Sequence, residues 1–186
     1  MTIEVGGNGL PLNMTATARS SVCPGGPMPL EINIGVASSS TDEDFLALDV
    51  LAPSTPVSKQ LPVLVNIHGG GYSIGDASMA PGDAIMSHAK RNLVHVSIQY
   101  RLGPHGFLAG DAIQSDGVWN VGILAQRAAL DWIQRNIAVF GGGPLKVTIV
   151  GGSAGGGSVS LQMMMYGGVP NPPFYAAIAG QSRSLH

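Results

Sequence analysis

Charged residues are scarce in this sequence. Only 11% of its 186 residues are Asp, Glu, Lys or Arg, against roughly 25% in an average globular domain. The net charge is −2 and no basic cluster breaks the balance, so nucleic-acid binding has no electrostatic support. Cys23 is the single cysteine. No internal disulfide can form, and the compartment cannot be read from cysteine usage. Long apolar runs are missing too. None approaches the ~18 residues of a membrane span. Residues 1–11 hold no basic residue and no apolar stretch, a pattern that predicts no signal peptide. There is no internal repeat.

What remains is 45% apolar and rich in glycine. Such a composition fits a mostly buried central sheet. It fits equally a piece of a larger domain, which keeps its share of core and too little surface. Residues 1–41 are rich in Gly, Pro, Ser and Thr and predict an irregular segment, with a short strand at 30–34. Asn13-Met14-Thr15 matches a glycosylation acceptor, a triplet that chance supplies often.

Regular structure is expected from residue 42 onward. Residues 45–51 alternate in the manner of a strand, ended by Pro53 and Pro56. Residues 61–67 are a continuous apolar run of the kind buried on both faces of a parallel sheet. A short helix is read at 82–90 and a strand at 93–99. Residues 100–107 read as loop from their Gly and Pro. The clearest helix follows Asn120, a candidate N-cap, with Ile123, Leu130, Ile133 and Ile137 on one stripe. Residues 141–144 should stop it. A strand at 146–150, a helix to about Tyr166 and a strand at 174–179 complete the order, with Met163, Met164 and Met165 expected in the core. Strands alternating with helices argue a parallel sheet covered on both faces, an α/β class.

Two glycine turns carry the chemistry. Gly151-Gly152-Ser153-Ala154-Gly155 is a G-x-S-x-G turn between a β-branched strand and a helix. A tight turn there lifts the serine hydroxyl clear of the sheet, and flanking glycines remove β-carbons that would clash. Ser153 is the candidate nucleophile; the plain alternative is a Gly/Ser-rich loop. His68-Gly69-Gly70-Gly71-Tyr72 follows the buried strand at 61–67. Its glycines leave backbone N–H groups bare, the parts needed to hold a developing oxyanion. Both turns fall at carboxyl ends of strands, where open α/β sheets build their sites.

These stretches together resemble the type-B carboxylesterase/lipase family of the α/β-hydrolase fold, and its fungal members in particular. The resemblance rests on DEDFLALDVLAP (42–53), LPVLVNIHGGGYSIG (61–75), VSIQYRLGPHGFL (96–108), NVGILAQRAALDWIQRNIAVFGGGP (120–144) and VTIVGGSAGGGSV (147–159). It covers roughly residues 42–182. It implies an α/β-hydrolase fold with a mostly parallel central sheet flanked by helices, here truncated. It implies Ser153 as nucleophile, and an oxyanion hole from the backbone N–H groups of Gly70, Gly71 and Ala154. It also implies a small-molecule or lipid ester substrate, and neither cofactor nor metal. His68 resembles a structural residue before the glycines, and residues 100–107 a loop that braces the site. The sequence departs from the family in places: Gly152 stands for the usual acid before the serine and Phe45 for a cysteine. Ala125 and Gly143 replace frequent aspartates.

A serine hydroxyl needs a base, and the base an acid to orient it. In this fold the order is Ser, Asp/Glu, His. After Ser153 the sequence has no Asp or Glu, and its only histidine there is His186. The expectation is therefore the N-terminal and central part of a longer esterase, with little turnover by itself and a tendency to self-associate through bare apolar surface. Alternatives are a complete small protein using His68, His88, His95 or His105 as base, a non-catalytic binding member of the fold, and a hormone-sensitive-lipase-like esterase. A dinucleotide-binding turn fits poorly: Ser153 takes the place of the second glycine of G-x-G-x-x-G, and the later acid is missing.

Overall fold

The computed structural model describes residues 13–17 and 45–180. The strand expected at 30–34, the acidic residues 42–44, Cys23 and His186 lie outside these. Six strands form one sheet: β1 (Asn13–Thr17), β2 (Leu48–Pro53), β3 (Leu61–Ile67), β4 (Val94–Ile98), β5 (Gly142–Gly152) and β6 (Ala176–Gly180). Their order across the sheet is β1-β2-β4-β3-β5-β6. From β4 to β6 the pairing is parallel, whereas β1 and β2 run antiparallel to their neighbours.

β3 lies in the middle. Its Leu61, Val63, Val65 and Ile67 are buried, and it is hydrogen-bonded on both sides. Its other residues, Pro62, Leu64 and Asn66, are exposed or half-buried, so the run expected to be buried on both faces is fully buried on one only. β4 is buried throughout, His95 and Ser97 included. Ser97 satisfies its hydroxyl by donating to the carbonyl of Ala80 (3.1 Å), as a buried polar group must.

The connections hold helices. α1 (Asp83–His88) joins β3 to β4; α2 (Gly103–Phe107), α3 (Asp111–Asp116) and α4 (Val121–Asn136) lie between β4 and β5. α4 buries Ile123, Leu130 and Ile133, and Ile137 continues the stripe, fully buried. Burial of each such side chain is worth ~1.5–3 kcal/mol. Asn120 occupies the N-cap position at φ 57°, but its side chain caps nothing. A 3-10 turn, Ile137–Phe140, ends the helix at left-handed Gly141. α5 (Ala154–Gly168) follows β5; its backbone leaves helical geometry at Met165, Tyr166 and Gly167.

Three expectations need correction. Residues 13–17 pair with β2 from Asn13 opposite Pro53 to Thr17 opposite Asp49, so the irregular N-terminal segment contains a strand. Residues 100–107 are not all loop: Gly103-Pro104 starts α2, with proline in the first turn where a missing N–H costs nothing. Met163 and Met164 are not core, being 54% and 63% exposed, while Met165 is half-buried. The residues that α5 buries are instead Gly155, Gly156, Ser158, Val159 and Gln162.

Candidate active site

β3 and β5 are adjacent, and Ile67 pairs with Gly151 at their carboxyl ends. The chain leaves both strands at the same level, so the glycine turn after β3 faces the serine turn after β5. The approach is close. A β-carbon on Gly69 would lie 2.9 Å from the Gly152 carbonyl oxygen and 3.3 Å from Cβ of Ser153.

Ser153 sits between β5 and α5 with φ 55° and ψ −124°, a conformation that L-residues rarely hold and that stores strain. Two backbone bonds fix it. Its N–H donates to Gly180 (3.2 Å), and its carbonyl accepts from Gly157 (3.1 Å). Although Ser153 takes the N-cap position, its side chain does not cap the helix. The residue is exposed, so the hydroxyl faces open space at the positive end of the α5 dipole. Ala154, first in α5, has a backbone N–H with no intrahelical acceptor.

The opposing turn is shaped by three successive left-handed residues, Gly70 (φ 103°), Gly71 (φ 63°) and Tyr72 (φ 59°). The Gly70 carbonyl accepts from both Ser73 and Ile74 (3.1 Å each). The N–H groups of Gly70 and Gly71 donate to no backbone carbonyl among the described residues. Gly70 could not be another residue, because a β-carbon there would collide with the Ile74 carbonyl.

His68 is buried beneath this turn. Its Nδ1–H donates to the Gly69 carbonyl (2.8 Å), and its ring stacks on Tyr100 with centroids 4.3 Å apart. The Tyr100 hydroxyl donates to the His68 carbonyl (2.8 Å). Burial lowers the His68 pKa, against the opposing pull of the Gly69 bond and of Asp76, so the ring is held neutral. Its Nε2 is buried with no partner. Residues 100–107 do touch the turn, through Tyr100 and through Phe107, whose ring lies 5.0 Å from that of Tyr72.

None of the described histidines is hydrogen-bonded to Ser153. His88 donates to Ala84 within α1, His95 is inside β4, and His105 is exposed on α2. The structure thus brings the turn that bears Gly70 and Gly71 against Ser153 through Gly69, and Ala154 follows the serine at the start of α5; none of the described histidines is bonded to Ser153.

A model of the carboxylesterase family matches residues 11–178. The chain belongs to that family. Lipase 2 of Geotrichum candidum is 41% identical over 169 residues, which cover 87% of this chain and 30% of the relative. The para-nitrobenzyl esterase of Bacillus subtilis (strain 168) is 40% identical over 152 residues, covering 82% of this chain and 31% of the relative. Among solved structures, Aspergillus niger EstA superposes with a TM-score of 0.76 at 34% identity, over 88% of this chain and 31% of that one. A thermophilic PNB esterase gives 0.77 at 36% identity, over 91% and 35%. The α/β-hydrolase fold expected from the family resemblance is the fold found. The chain spans about a third of the length of these carboxylesterase relatives.

One residue that matters to the turn was missed in the sequence. Tyr72 reads as the last letter of a glycine motif, yet its carbonyl accepts from Gly103 (2.7 Å) and its side chain reaches α5. Its placement straight after the glycines was the only available signal.

Proposed function

We propose that this chain carries the nucleophile and oxyanion hole of a carboxylic ester hydrolase. Ser153 Oγ attacks the ester carbonyl, and the N–H groups of Gly70, Gly71 and Ala154 donate to the oxyanion of the tetrahedral intermediate. Collapse expels the alcohol and leaves an acyl-serine, which water hydrolyses to the acid. The observation that supports the reading is the pairing of Ile67 with Gly151, from which the glycine turn and the serine turn leave neighbouring strand ends, with Gly69 against Gly152 and Ser153. Donors fixed before reaction need no reorganisation as charge develops, and one such donor is worth about 3–4 kcal/mol. The relatives' names, lipase and para-nitrobenzyl esterase, support a small-molecule or lipid ester as substrate.

The order Ser, Asp/Glu, His is not completed within these 186 residues, because no Asp or Glu follows Ser153. The isolated chain then turns over little. It also self-associates, through the exposed Met163, Met164, Tyr166, Tyr175 and Ile178 and through β6, which among the described residues is paired on one side only. The test is an aryl-ester assay combined with fluorophosphonate trapping in a longer protein containing this chain. Label on Ser153, lost with activity in Ser153→Ala, is expected. An active protein that is never labelled there overturns the assignment.

A further inference from the structure

The glycine turn and the serine turn belong to segments about eighty residues apart in the chain, and side chains tie them together as well as the sheet. Tyr72, at φ 59°, is a strained non-glycine residue, and such strain persists only where surroundings enforce it. Its carbonyl is held by Gly103 and its ring by Phe107. Its hydroxyl lies over Gly157 of α5, so close that a β-carbon there would sit 2.8 Å from the phenol oxygen. Ser158 donates to the same hydroxyl (3.5 Å) and in turn accepts from Gln126 Nε2 (2.9 Å). Gln126 Oε1 accepts from Gln162 Nε2 (3.3 Å), which also donates to Ile123 (3.0 Å). Gln126, Ser158 and Gln162 are all buried, so the bonds among them are made without competing water, and the part-buried bond to Tyr72 lies at the edge of this network.

We propose that Tyr72 is a positioning residue: its hydroxyl, seated in the gap left by Gly157 and bonded to Ser158, locks the turn bearing Gly70 and Gly71 onto the helix that begins behind Ser153. The role in catalysis rests on the oxyanion reading of those glycines; the lock itself does not. Gly157 is the informative partner. Alanine there raises helix propensity, so a loss of order in the distant turn cannot come from the helix itself. Removing the phenol oxygen leaves the ring carbon Cζ at 3.8 Å from the added β-carbon, an ordinary contact.

The test is hydrogen exchange read by mass spectrometry on the 186-residue chain, following the Ser73 and Ile74 amides that close the turn. Gly157→Ala is expected to speed their exchange about tenfold while leaving β3 and α4 unchanged. Adding Tyr72→Phe to Gly157→Ala should restore it to the level of Tyr72→Phe alone. Ser158→Ala should speed it moderately, and Ser158→Thr, which keeps the hydroxyl, should not. Fluorophosphonate labelling of Ser153 in a longer protein containing the chain should follow the same order. No change at residues 73–74 in Gly157→Ala, additive effects in the double variant, or a uniform rise across β3 and α4 would each overturn the lock. Absence of label in the unsubstituted protein, with the exchange pattern as expected, would instead strike the oxyanion reading and leave the lock standing.

Discussion

Gly155 backs onto Ile67 so tightly that a β-carbon on it would run into the Ile67 carbonyl oxygen. Gly151 is equally confined, by the backbone of Gly155. Gly152, between them in sequence and exposed, would bring its β-carbon no nearer than 3.9 Å to any atom, the Gly180 carbonyl oxygen. The glycines of one motif are therefore of two kinds. Gly151→Ala and Gly155→Ala should each destabilise the fold by about 2 kcal/mol or more, whereas Gly152→Ala should stay within about 0.5 kcal/mol. Urea denaturation midpoints distinguish the two classes. The same space means that the acid missing before Ser153 is absent for no steric reason at its β-carbon.

Ser153 gives a prediction in which stability and chemistry part. Glycine adopts φ 55° without strain. Relief of about 1–3 kcal/mol exceeds the roughly 0.5–1 kcal/mol of added chain entropy in the unfolded state. Ser153→Gly should therefore be more stable by about 1 kcal/mol, while Ser153→Ala, which keeps a β-carbon, should be unchanged. Both should lose fluorophosphonate labelling in the longer protein. Chemical denaturation beside a labelling gel reads both effects.

Asp49 makes stability depend on pH. Burial, then the neighbouring Asp76, pushes its pKa up to about 6. The folded chain holds this proton more tightly than the unfolded one, so the group adds stability below the ordinary aspartate range. That stability is lost as the pH rises through about 6. The carboxyl is only partly buried, and solvent screening limits the swing to about 1 kcal/mol. Asp49→Asn should flatten the profile between pH 4 and about 6 and be the more stable form at pH 7. Denaturation midpoints across that interval check it.

The apolar surface of α5 and β6 should make the isolated chain oligomeric. Met164, on α5, is 63% and Ile178, in β6, 54% exposed, and among the described residues β6 pairs only with β5. Sedimentation velocity should show species larger than the monomer, shifted toward it by Met164→Lys with Ile178→Lys. A clean monomer of the unsubstituted chain would contradict this.

The parts of the fold legible in sequence were those whose surroundings are uniform. β3 stands out as an apolar run at the centre of the sheet, although only its alternate residues are fully buried, and α4 shows its stripe because one face is buried. β1 escaped notice because Asn13-Met14-Thr15-Ala16-Thr17 carries little apolar signal; its pairing with β2 defines it. α2 is too short for periodicity, and Gly106, read as a loop marker, is there because a β-carbon would strike the Arg101 carbonyl. The candidate site was legible as two glycine motifs, since close backbone approach demands glycine locally. The contact of Tyr72 with Gly157 and Ser158 was not, because it joins segments that no local pattern connects.

The register of β3 against β5 has a consequence for how such a site can change over time. Neighbouring strands lie ~4.8 Å apart, and that spacing is a property of main-chain bonding, common to every sequence that folds this way. Loops can lengthen and a binding pocket can be remodelled without altering the distance between the serine and the bare amides across from it. A slip of one residue would alter it, and would also turn the strand's buried face outward. On the ester-hydrolase reading, substrate preference is thus free to drift while the geometry proposed for reaction is inherited whole or lost whole.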